Sequence, residues 1–84
     1  MKYRVILSRS ARKHLERLSG ETETRILARL AELESNPRPV GCKKLTNRDA
    51  WRIRVGDYRV IYEIHDKILQ VIIVTVGHRR EVYR

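Results

Sequence analysis

The stretch Trp51-Arg52-Ile53-Arg54-Val55-Gly56-Asp57-Tyr58-Arg59-Val60-Ile61-Tyr62 alternates apolar and cationic residues on either side of Gly56-Asp57. Gly-Asp between two such runs reads as a β-hairpin closed by a two-residue turn. That turn pairs Val55 with Tyr58, Arg54 with Arg59, Ile53 with Val60 and Arg52 with Ile61. Partners across a strand pair point to the same face, and neighbours along a strand point to opposite faces. Arg52, Arg54 and Arg59 therefore share one face, and Trp51, Ile53, Val55, Tyr58, Val60 and Tyr62 share the other. Arg54 directly opposite Arg59 is a like-charge pair, which destabilises a sheet. A cluster kept at that cost points to an anionic ligand, and phosphate suits the planar guanidinium fork. A slip of one residue would exchange the two faces.

Outward from the hairpin, the chain alternates helix and strand signals. Tyr3 to Leu7 reads as a short strand. Ser8 or Ser10 can cap a helix running to about Leu18, with Ala11, Leu15 and Leu18 on one stripe. Ser19-Gly20 is expected to end it. Glu21 to about Ser35 reads as a second helix with Ile26, Leu27, Leu30 and Leu33 at helical spacing. Glu21 and Glu23 stand in its first turn, where the helix dipole favours them. The two form an αα-hairpin. Asn36-Pro37-Arg38-Pro39-Val40-Gly41 breaks the helical pattern. Strands are then expected at about 50–55, 58–64 and 67–76, with a turn near Asp66-Lys67. The last is apolar on both faces, as a covered central strand would be. The predicted fold is α+β: a small antiparallel-dominated sheet in the order β-α-α-β-β-β, with the αα-hairpin packed on one face. The arginines then look outward, into a groove near Lys43-Lys44. Residues 1–84 are read as one domain.

Composition narrows the function classes. The chain has 84 residues and a formal charge of +9, spread over both halves. Such a charge favours polyanionic partners without identifying a fold. Cys42 is the sole cysteine, so no internal disulfide can form, and it has no metal-binding spacing. No apolar run reaches membrane-spanning length, and the apolar stretch at the start is too short for a signal peptide. No membrane association and a reducing cytoplasmic setting are expected.

This order of elements resembles the RelE/ParE superfamily of toxin–antitoxin toxins over essentially the whole chain. The residues that carry the resemblance are Lys44-Leu45, the stretch from Trp51 to Tyr62, and the ending Val76-Gly77-His78-Arg79-Arg80-Glu81-Val82-Tyr83. RelE-like members cleave mRNA in the ribosomal A site, whereas ParE-like members poison DNA gyrase and lack the nuclease residues. The RelE-like pattern implies a catalytic set of Arg52, Arg54, Arg59, Arg79 and Tyr83. The chain departs from it in two ways. The first-strand pair is arginine where lysine is frequent, and the short tail leaves Arg79 and Arg80 as alternatives for one position. The resemblance also implies a RelB-like antitoxin partner, a monomer when free and a hetero-oligomer with that partner.

The implied reaction uses no metal or cofactor. The ribose 2′-hydroxyl attacks the adjacent phosphate, giving a 2′,3′-cyclic phosphate and a 5′-hydroxyl. Arginines suit stabilisation of the crowded phosphate and suit proton transfer poorly. Tyr83 is the candidate base, because neighbouring cations favour its phenolate. His78 is an alternative acid, since imidazole titrates near neutrality. Lys43 and Lys44 read as RNA phosphate contacts. His14 and His65 read as structural, and the parity of Trp51 assigns it to the core. Two other readings compete with the ribosome-dependent endonuclease: a ParE-like gyrase inhibitor, and a basic RNA-binding module without catalysis.

Overall fold

The computed structural model describes residues 2–78. Its elements are β1 (Arg4–Leu7), α1 (Arg9–Glu16), α2 (Gly20–Leu33), β2 (Lys43–Lys44), β3 (Trp51–Val55), β4 (Tyr58–His65), a 3-10 turn (Asp66–Ile68) and β5 (Gln70–His78). The strands form one sheet in the order β1-β5-β4-β3-β2. β1 runs parallel to β5, and the other pairs are antiparallel. The expected α+β architecture is therefore present, with one strand more than the sequence suggested. β2 is two lysines long and has no hydrophobic period. Only its backbone pairing with β3 makes it a strand, with Lys43 opposite Arg52 and Lys44 opposite Trp51.

The helix boundaries have local causes. Ser8 caps α1: its Oγ accepts the Ala11 N–H at 3.0 Å and its hydroxyl donates to the Val74 carbonyl at 2.8 Å. One serine thus satisfies a helix terminus and ties that terminus to β5. Ser19-Gly20 does not close the first helix as expected. Ser19 occupies the cap position of α2 and Gly20 is its first residue, so the connection is only three residues. Ile26, Leu30 and Leu33 are buried at i, i+4 and i+7. Leu27 falls off that stripe and is 44% exposed. The final strand begins at Gln70 rather than 67, because residues 66–68 coil into the 3-10 turn and Leu69 takes a left-handed conformation at φ 53°.

One face of the sheet carries the core. Ala11 and Leu15 of α1 and Ile26, Leu30 and Leu33 of α2 pack with Ile53, Val60, Tyr62, Val71, Ile73 and Val76. Among the described residues, helices cover one face of the last strand, and the expected cover on its other face is partial. β5 is central in the sheet, but Ile72 and Val74 on its helix-free side are only half-buried. Its free edge beyond β1 is closed by His14, whose Nδ1 receives the Thr75 hydroxyl at 3.1 Å and the Val76 N–H at 3.4 Å.

The proline segment is pinned from two sides. The buried Tyr62 hydroxyl donates to the Pro37 carbonyl at 2.7 Å. Burial, then the neighbouring Cys42 thiol, pushes the Tyr62 phenol well above its ordinary range, so it stays a donor. Asp66 accepts hydrogen bonds from the Tyr3 hydroxyl at 2.5 Å and from Arg38 at 2.9 Å. Arg38 and Lys44 also lie over the ring of Trp51, at 5.3 and 6.0 Å from its centroid.

Tyr62→Phe leaves the Pro37 carbonyl without that donor and should lower stability by about 1–3 kcal/mol in urea denaturation. A loss within error would mean another group satisfies the carbonyl. Asp66 offers a pH test. The Arg38 guanidinium, then the Tyr3 hydroxyl, hold its carboxyl below the usual range. Its folded pKa is therefore depressed, and its contribution is full above the unfolded value of about 4. The gap in stability between wild type and Asp66→Asn should stay level above that pH. It should narrow as pH falls through the folded pKa.

Candidate functional site

The hairpin β3–β4 forms in the register its alternation dictates: Val55 opposite Tyr58, Arg54 opposite Arg59, Ile53 opposite Val60, Arg52 opposite Ile61. Gly56 at the turn has φ +60°, and Asp57 is not among the residues of positive φ. Positive φ at the first central position alone is what a type II′ turn requires, and glycine supplies it without strain.

Register then assembles the cationic face. β3 pairs with β2 on one side and β4 with β5 on the other, so two rows cross the sheet. One row is Arg54, Arg59 and Gly77, and the next is Lys43, Arg52, Ile61 and Thr75. Strands lie about 4.8 Å apart, and residues two apart on a strand about 6.7 Å. Within that small area stand four cationic residues on the side of the sheet opposite the helices. Gly77 adds no side chain beside Arg59.

Exposure is graded across the face. Arg54 is exposed, Arg52 is half-buried and Arg59 is only 8% exposed. Ile61, next along the strand on the same side, is 4% exposed. Arg59 thus lies in the floor of the face and Arg54 at its surface. A depression of about 280 Å³ is lined by Gly41, Lys43, Arg52 and Arg54. Gly41, at φ +94°, brings the chain out of the proline segment into β2. Guanidinium and ammonium donors thus line this depression.

The structure separates other residues from this group. Lys44 points to the opposite side, where it meets Asp49 at 3.6 Å and the Trp51 ring. Only Lys43 of the lysine pair joins the arginines, because alternation splits adjacent residues even in a two-residue strand. His78 pairs with Tyr58 and shares its face; their rings meet edge to face at 5.6 Å and 82°. It therefore lies across the sheet from Arg52, Arg54 and Arg59. Arg79, Arg80 and Tyr83 lie outside the described residues.

Glu63 was not singled out from the sequence. It lies on the arginine side by the same parity as Arg59 and Ile61. His65 at 3.0 Å and Arg48 at 3.9 Å engage it. The parity of β4 could have found it, but Arg48 comes from a loop with no periodic signal. Among the described residues, no group of three or more His, Cys, Asp or Glu is placed to hold a metal ion. No helix among them is long and apolar enough to cross a membrane.

Comparison with known proteins adds an independent line. The family model for the ParE toxin of type II toxin–antitoxin systems matches residues 5–83. Toxin RelG of Mycobacterium tuberculosis is 36% identical over 91 aligned positions, which cover 100% of this chain and 99% of that protein. Among solved structures, the archaeal RelE–RelB complex from Pyrococcus horikoshii superposes with a TM-score of 0.84 at 33% identity, covering 94% of this chain and 97% of that one. The toxin–antitoxin complex RelBE2 of Mycobacterium tuberculosis superposes with the same TM-score of 0.84 at 27% identity, covering 94% and 100%.

A face of this kind should respond to free anions. Inorganic phosphate at tens of millimolar should raise the thermal midpoint of the wild type by mass action. The double variant Arg52→Gln/Arg54→Gln should start at equal or higher stability, since the like-charge pair is relieved, and should respond less. Equal phosphate responses in both proteins would show that the anion binds elsewhere.

Proposed function

Because this chain belongs to the RelE/ParE family of type II toxin–antitoxin toxins, we propose that it cleaves mRNA in the ribosomal A site. The observation that carries this reading is the convergence of Arg52, Arg54 and Arg59 on one helix-free sheet face. A toxin that acts by shape alone has no need of a like-charge pair that costs folding energy.

In the proposed reaction the O2′ of one nucleotide loses its proton and attacks the adjacent phosphorus. The P–O5′ bond breaks, leaving a 2′,3′-cyclic phosphate and a 5′-hydroxyl once the departing oxygen is protonated. Exposed Arg54 and half-buried Arg52 suit bidentate contact with the non-bridging oxygens, whose charge builds in the transition state. Recessed Arg59 holds positive charge beneath them. Tyr83 is assigned as the base, and Arg79 or Arg80 as a further phosphate ligand. His78 belongs to the opposite face by register and is the weaker assignment for the acid. Lys43 extends the cationic row toward the RNA backbone, while Lys44 faces away. No metal or cofactor enters this scheme. The ribosome would orient the mRNA, an effect worth several kcal/mol in oriented reactions.

The partner proposed is a RelB-like antitoxin. Support comes from the solved relatives, which are toxins in complex with their antitoxins. A segment rich in Asp and Glu would complement the arginine face and compete with RNA there.

Gyrase inhibition is the second reading, favoured by the name of the family model. Primer extension on mRNA translated in a reconstituted system distinguishes the two. Wild type should cut within A-site codons only when ribosomes are present. Arg54→Ala, at an exposed position, should fold normally and cut about 100-fold less or weaker still. Active, folded wild type that leaves mRNA whole but blocks gyrase supercoiling would establish the second reading.

A further inference from the structure

Helix α1 presents a second cationic surface, distinct from the arginine face. At about 100° per residue, Arg9, Arg12, Lys13 and Arg17 fall within one arc of the helix. Ala11 and Leu15 fall on the opposite side and are buried. All four cationic residues are exposed. Glu16 shares the arc, but none of the ion pairs among the described residues involves it or any of the four.

The N-terminal part of this arrangement works against the helix, whereas Lys13 and His14 in the last turn suit the dipole and Arg12–Glu16 is an opposite-charge neighbour at i+4. Arg9–Arg12, Arg9–Lys13 and Lys13–Arg17 are like-charge neighbours at i+3 or i+4, each destabilising an isolated helix. The first turn holds no acidic residue and begins with Arg9, against the dipole preference. α2 obeys the opposite rule, with Glu21 and Glu23 in its first turn and an Arg29–Glu32 pair at 3.0 Å. The charge asymmetry is therefore particular to α1. Its terminus is held in place, because Ser8 is tied to both Ala11 and Val74.

The chemistry of the surface selects its partner. Over roughly 12 Å of helix, the exposed arc offers four cations, one carboxylate and no apolar side chain. A stable protein interface needs a desolvated apolar or aromatic centre, and an amphipathic membrane-binding helix needs a free apolar face. α1 has neither, since its apolar side is buried in the core. Contact with a nucleic-acid backbone needs only placed positive charge. Three of the four are arginines, suited to phosphate. We propose that Arg9, Arg12, Lys13 and Arg17 form a docking surface for the phosphate backbone of folded RNA, used to seat the protein on the ribosome. The proposal rests on the ribosome-dependent reading above for its location. Its chemistry stands apart from that reading.

The test is the variant Arg9→Gln/Arg12→Gln/Lys13→Gln/Arg17→Gln, with Arg54→Ala as the comparator. Glutamine keeps helix propensity, so the variant should melt at or above the wild-type temperature. Binding is measured to purified 70S ribosomes without mRNA, and to a plain RNA duplex, across a range of KCl concentrations. The fourfold variant should bind both at least tenfold more weakly at about 100 mM salt. Its log–log salt slope should be shallower by about two to four, near one for each phosphate no longer neutralised. Arg54→Ala should keep ribosome affinity while losing cleavage. If wild type cuts no mRNA but duplex binding still falls in the fourfold variant, the cleavage reading fails and this surface stands. If cleavage, ribosome binding and duplex binding all match wild type, the surface is overturned and the cleavage reading stands. Loss of antitoxin binding with both RNA affinities intact would also overturn it, in favour of an acidic protein partner.

Discussion

Register across the β3–β4 hairpin is the constraint on which the cationic face depends. Gly56 at positive φ closes the turn, and the turn determines which residues stand opposite one another. Every further pairing extends that choice, outward to Lys43 on β2 and inward to Gly77 on β5. Were the pairing to slip by one residue, Ile53, Val55, Val60 and Tyr62 would meet water. Each such side chain is worth roughly 1.5–3 kcal/mol when fully buried. A few of them outweigh the repulsion of one arginine pair, which is on the order of 1 kcal/mol or less. Hydrophobic burial on one side thus holds a charge cluster together on the other.

The same division organises the rest of the molecule. Helices cover one side of the sheet, and their placement relies on polar contacts at the margins. Ser8 ties the start of α1 to β5, and His14 closes the β5 edge beyond the end of β1. Tyr62 reaches through the core to the proline segment, while Asp66 links that segment, through Arg38, to Tyr3 just ahead of β1. These bonds keep Gly41 and β2 beside β3, so Lys43 can extend the row that begins at Arg52. The face is built from backbone pairing on a rigid sheet, which suits a site that must present several charges in fixed relation.

Membership of the RelE/ParE family gives this arrangement a biological frame: a toxin of a type II toxin–antitoxin system. The cationic sheet face and the exposed arc of α1 differ in design. One recesses Arg59 beneath more exposed neighbours, as suits chemistry on a single phosphate. The other spreads four exposed cations along a helix, as suits contact with a longer backbone. Under the proposed cleavage of ribosome-bound mRNA, the protein would use both.

Strand alternation and the Gly56-Asp57 turn determined the hairpin register, the arginine face and the hairpin's share of the core, Ile53, Val55, Val60 and Tyr62, from sequence alone. Those features depend on neighbouring residues and on a period of two, which a single sequence records directly. The helix stripe was legible for the same reason at Ile26, Leu30 and Leu33, though Leu27 lay too far round the helix to be covered. Tertiary structure decided what depends on distant partners. β2 exists only because β3 offers it backbone groups, and that pairing sends Lys43 and Lys44 to opposite faces. The burial of Arg59 follows from how the finished face is filled, and the position of His78 from the pairing of β4 with β5. Glu63 is held by Arg48 from a loop without period. Long-range pairing carries no local signature, because the energy that selects it resides in contacts between segments far apart in the chain.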